Sequence, residues 1–167
     1  MMNLALIAAA VLSSGVVVVN EIPDQKNLEW QVRHSSNVIR VQILRTVPIE
    51  LHGQDCGIVW EVKTIQSFKG RAEPGKVMRV WGPNDVNYWQ VGSDRLMFLR
   101  KYDGERHSAC TRHIFSKFLQ VHWSCCGIDG DGDNAQVMFE TLLSSESRGP
   151  DIPVPATTVF QFLRQVK

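Results

Sequence analysis

The chain has 167 residues, enough for one domain with a real hydrophobic core and too few to expect two. Hydrophobic side chains make up 44% and charged ones 21%, the proportions of an ordinary globular protein. Lysine plus arginine (18) nearly balances aspartate plus glutamate (17), so a formal charge of +1 lacks the pull that non-specific nucleic-acid binding requires, and no nucleic-acid partner is expected.

The first twenty residues, MMNLALIAAAVLSSGVVVVN, carry no charged side chain. Leu4 to Leu12 has the length of a secretory-signal core, and Ser13, Ser14 and Gly15 are small enough for a cleavage site, although no Lys or Arg supplies the usual positive start. Leu4 to Val19 is a little short of the roughly 20 apolar residues of a membrane span. The competing reading is a buried first strand, because Val16 to Val19 is strongly β-prone. Export is the expectation. Residues 1–19 then form a signal peptide or signal anchor, 20–35 an entry segment and 36–167 the folded domain. The expected location is secreted or periplasmic, with membrane contact only if the leader is retained.

After the leader, NEIPDQKNLEWQVRHSS is polar and reads as an entry segment with a short helical turn. NVIRVQILRTVPI alternates, with Val38, Arg40, Gln42 and Leu44 against Ile39, Val41, Ile43 and Arg45, the period of a strand with one apolar face. LHGQD breaks it, and CGIVWEVKTIQSF resumes the alternation. KGRAEPG is a turn by composition. KVMRVWG, RLMFLRKY and FSKFLQVHWSCC follow as three further strands. In RLMFLRKY both faces are apolar at the start, as in a strand packed on two sides.

Near the end, Val159, Phe160, Leu163 and Val166 have the spacing of one helix face, with Thr157 or Thr158 available as a cap. Five short strands and one late helix predict a mainly β protein: a five-stranded OB-type barrel with a C-terminal helix.

The four cysteines are Cys56, Cys110, Cys125 and Cys126. An even count behind a signal-like leader reads as two disulfides in an oxidising compartment, with three full pairings open. A bond between the neighbours Cys125 and Cys126 would be strained, so each is expected to pair with a distant partner. No cysteine follows the leader core in the manner of a lipid-attachment site.

CGIVWEVKTIQSFKG, VMRVWGP and VGSDRLMFLRKY, in that order, resemble bacterial exported relatives of the tissue inhibitors of metalloproteinases, which belong to the netrin-like group. The resemblance covers Val38 to about Tyr102 and implies an OB-type barrel and export. Inhibitors of that family act through a cysteine at the mature amino terminus, and the first cysteine of this sequence is Cys56. The resemblance therefore implies the scaffold without the family's inhibitory device.

Three groups of residues have the types that carry chemistry. Asp129, Asp131, Asp133 and Glu140 stand at positions one, three, five and twelve of a calcium-loop spacing, but Asn134 replaces the glycine of position six and Gln136 the apolar residue of position eight. The alternative is a tight Gly/Asp turn between two strands, QVMFETLL being the second. His107, Cys110 and His113, with His122 and Cys125, are zinc-ligand types, though export favours oxidation of Cys110. Tyr88 and Trp89 are two large rings in the polar stretch NDVNYWQ, and are expected to form a contact surface for a partner.

No glycine-rich phosphate loop, H-E-x-x-H or G-x-S-x-G motif occurs. The expected function is that of a non-enzymatic exported OB-fold domain binding a protein or envelope component, without a cofactor unless calcium enters the acidic loop. The alternatives are a metalloendopeptidase inhibitor acting through a loop, and a calcium-binding module.

Overall fold

A computed structural model describes residues 21–82, 89–101, 110, 118–139 and 150–166. The leader, Tyr88, His107, His113 and Glu140 lie outside the described residues.

Helix α1 (Gln25–His34) opens the fold, a full helix where a short turn was expected. Asp24 caps it by accepting from Asn27 N at 3.3 Å. At its other end the Lys69 ammonium donates to the carbonyls of Val32 (2.8 Å) and Arg33 (3.2 Å), and Val32 O also accepts from the cap residue Ser35 N. Leu28 and Val32 are buried, so α1 packs into the core.

Among the described residues seven strands follow: β1 (Asn37–Leu51), β2 (Gln54–Lys69), β3 (Val77–Gly82), β4 (Asp94–Lys101), β5 (Leu119–Asp129), β6 (Gln136–Phe139) and β7 (Ile152–Pro155). Their order is β3-β2-β1-β4-β5-β6-β7, antiparallel at each step. A short parallel pairing, Val80 with Leu119 and Trp81 with Gln120, joins β3 to β5 and closes a ring of five strands.

The fold is thus mainly β with a C-terminal helix. Two strands stand beyond the five of the expected barrel: β6, the start of the QVMFETLL strand of the turn reading, and β7. The prolines of β7 hid it from pattern reading; it lies at the end of the strand order, where a residue without an N–H is tolerated.

The last helix, α2 (Ala156–Gln165), starts directly after β7 with Pro155 at its cap position, so neither Thr157 nor Thr158 caps it. Proline there supplies a fixed φ at a point where its missing N–H costs little. Val159, Phe160 and Leu163 are buried as their spacing predicts.

The core has two layers, which explains the double apolar character of β4. Met97 and Leu99 point into the ring with Ile39, Val41, Ile43, Trp60 and Val62. Leu96 and Phe98 face the other way, with Val38, against Leu28 and Val32 of α1 and Val159, Phe160 and Leu163 of α2. Among the described residues no helix is long and apolar enough to cross a membrane.

Candidate binding groove on the β1–β2 hairpin

Among the described residues β1 is paired on both sides only in its first half. Its ladder to β4 runs from Asn37 to Gln42, while its ladder to β2 continues to Leu51. β2 in turn pairs with β3 from Ile58 to Lys63, so only residues 49–51 and 54–57 form a two-stranded extension, turning at His52 and Gly53. An isolated ribbon of this kind is marginal in water and needs a tether.

The tether is a third, smaller apolar cluster of Cys56, Val59, Trp81 and Cys110, flanked by Ile49, Leu51 and Phe118. Cys56 and Cys110 are joined by a disulfide, with Cα atoms 5.4 Å apart. The Trp81 indole donates to the Cys56 carbonyl at 2.7 Å. Gly57 makes that approach feasible: its φ is 91°, and a Cβ there would stand 2.7 Å from Trp81 Nε1.

A groove lies beside this cluster, lined by Arg45, Val47, Ile49, Val59, Glu61, Arg79 and Phe118, with a volume of about 290 Å³. Strand register explains its make-up. Arg45 stands opposite Glu61, and Glu61 opposite Arg79, so one rung across three strands reads plus, minus, plus. The neighbouring pairs, Val47 with Val59 and Val59 with Trp81, give an apolar rung. Arg79 Nε reaches Glu61 Oε2 at 3.3 Å. Arg45 is exposed and forms no ion pair among the described residues.

None of the groove was anticipated from the sequence. The alternation in NVIRVQILRTVPI placed Arg45 on the face of Ile39, Val41 and Ile43. A register shift between Ile43 and Arg45 breaks that phase, and the side chains beyond it serve the groove instead of the ring interior. The one available signal was the renewed mixture of charged and apolar residues after Ile43.

The expected contact surface is corrected. Trp89 is only 3% exposed; its ring packs 4.5 Å from that of Trp60 in the core inside the ring, so it offers no face to a partner. A large ring beside an open ring interior buries far more apolar area inside than it would cover outside. Tyr88 lies outside the described residues.

The acidic loop is the turn from β5 into β6. Gly132–Asn134 form one 3-10 turn, and Gly130 and Gly132 take positive φ. Asp129 Oδ1 accepts from Gly130 N at 2.9 Å. Strands flank the turn on both sides. Among the described residues no cluster of three or more metal-ligating side chains is present, and Glu140 lies outside them.

Asp131 instead lines a second, more polar hollow of about 350 Å³ with Gln42, Ser93, Asp94 and Arg95.

Cys110 is spent in the disulfide and is not free to act as thiolate ligand or nucleophile. Cys126 is also disulfide-bonded. With Cys56 and Cys110 joined to each other, neither is left for Cys126, so its expected distant partner is ruled out. The reason is spatial: Cys56 and Cys110 sit at the hairpin extension, while Cys126 is buried under α2 in a different cluster. The side chain of Cys125 lies outside the described ones.

Comparison of the chain with family models, with curated proteins and with solved structures gives no match.

Proposed function

We propose that this protein is a non-enzymatic, exported, disulfide-stabilised domain of the OB type, and that it binds a protein partner through the groove on the β1–β2 hairpin. The observation that carries this reading is the groove itself: an apolar rung beside a charged rung across β1, β2 and β3, where β1 has run past its ladder to β4. A ribbon tethered by a disulfide and a buried Trp81–Cys56 hydrogen bond is held ready for a partner, which reduces the ordering cost of association. Disulfides persist in oxidising compartments, which supports export together with the apolar leader. The ring of five strands supports the OB-type reading and is in keeping with the netrin-like resemblance of Val38 to Tyr102.

The test is site-specific photo-cross-linking in the native compartment. A photoreactive residue at Val47 is expected to trap one protein species, and one at Val77, exposed on β3 outside the groove, is expected to trap none. Equal trapping at both positions, or at neither, removes the proposal. Incubating the purified protein with a panel of metalloendopeptidases separates simple binding from inhibition.

A further inference from the structure

The geometry points to the occupant of that groove: a protein segment that places an apolar side chain against Val47, Val59 and Phe118 and a carboxylate on Arg45. This inference rests on the proposed reading of the groove as the binding surface.

The charge pattern specifies the carboxylate. Glu61 stands between two guanidinium groups and its Oε2 is already engaged by Arg79, leaving the rung one positive charge in surplus. Arg45 has no acidic partner among the described residues and borders the apolar floor. A guanidinium beside an apolar strip recognises a carboxylate by two parallel hydrogen bonds, and strengthens as the partner's apolar group excludes water.

The size specifies a protein segment. About 290 Å³ is at or below the lower bound of sites that engulf a small molecule, and it accommodates one or two side chains of a chain lying across it. The apolar floor includes Val47, which is 37% exposed and gains burial on contact.

The mode is side-chain recognition and not strand addition. The second half of β1 has no ladder on the side away from β2 among the described residues, but Pro48 lies within it. A proline has no N–H to offer an added strand and is a common guard of open edges.

The experiment titrates isotopically labelled protein with short synthetic peptides and follows backbone amide shifts by NMR. One peptide alternates leucine with glutamate, a second has glutamine in place of glutamate, a third has lysine, and dodecanoate serves as a carboxylate carried by a lipid chain. The leucine–glutamate peptide is expected to shift the amides of Arg45, Val47 and Val59, and to bind about tenfold more tightly than its glutamine counterpart. Arg45→Gln should remove that preference, so that the glutamate and glutamine peptides bind alike. Arg45 is exposed, so an unchanged melting temperature is expected to show that the variant folds.

Equal binding of the glutamate and glutamine peptides, tighter binding of the lysine peptide, or shifts at these amides with dodecanoate alone would each overturn the inference. Persistence of the glutamate preference in Arg45→Gln would do so as well. A single species trapped at Val47 but no response to the acidic peptide would defeat this inference and leave the proposed function standing. Absence of selective trapping at Val47 defeats the proposed function itself.

Discussion

The guanidinium of Arg40 on β1 is held by the carboxylate of Asp94 on β4, with Nε donating to Oδ2 at 2.9 Å and Nη2 donating to the same oxygen. Their side chains are 17% and 22% exposed. The same guanidinium lies 5.7 Å over the ring of Phe160 on α2, so one cation ties two strands to the last helix. Asp94→Ala would leave that cation half-desolvated without its counterion, and is expected to lower stability by about 2 kcal/mol. Arg40→Lys is expected to cost about 1 kcal/mol, since an ammonium cannot place two donors on the oxygen and stack on the ring together. Urea denaturation measures both; a loss under about 0.5 kcal/mol for Asp94→Ala would show that the latch is dispensable.

The Cys56–Cys110 bond closes a separation of 54 residues. On the chain-entropy account a loop of that length is worth about 4 kcal/mol as an upper figure. Replacing both cysteines by serine is expected to reduce stability by about 2–4 kcal/mol. The loss should be accompanied by faster amide exchange in the hairpin extension, with β4 protected as before. Exchange that rises uniformly over all strands would contradict a tether confined to the extension.

Two glycines with similar positive φ make a clean comparison. Gly57 (φ 91°) has the Trp81 indole nitrogen where its Cβ would go, whereas Gly92 (φ 89°) has nothing within 4 Å. Alanine at Gly92 pays only the left-handed strain, about 1 kcal/mol. Alanine at Gly57 pays that and displaces a buried tryptophan from its hydrogen bond, for a total of about 3 kcal/mol. Thermal melts of the two variants, side by side, check the ordering; equal melting temperatures would refute it.

Calcium at millimolar concentration is expected to leave the melting temperature unchanged, because the Asp129–Gly130 hydrogen bond and the 3-10 turn already close this stretch as a strand-to-strand connection. A rise in melting temperature that Asp131→Asn abolishes would overturn this account of the turn.

Some of this was legible before any coordinates. Period-two alternation in NVIRVQILRTVPI and CGIVWEVKTIQSF announced β1 and β2, and the apolar residues on both faces of RLMFLRKY announced a strand with a layer on each side. Val159, Phe160 and Leu163 announced the buried face of α2. These are local signals, because side-chain direction follows from the backbone repeat of a single segment.

The groove, the inward turn of Trp89, the pairing of Cys56 with Cys110 and the closure of β3 onto β5 left no such trace. Each joins segments far apart in the chain, and each depends on register: one residue of slip between Ile43 and Arg45 decides whether an arginine faces the ring interior or stands on a rung with Glu61 and Arg79. Local repeat was written in the order of residues, whereas which distant side chains share a rung was settled only when the strands paired.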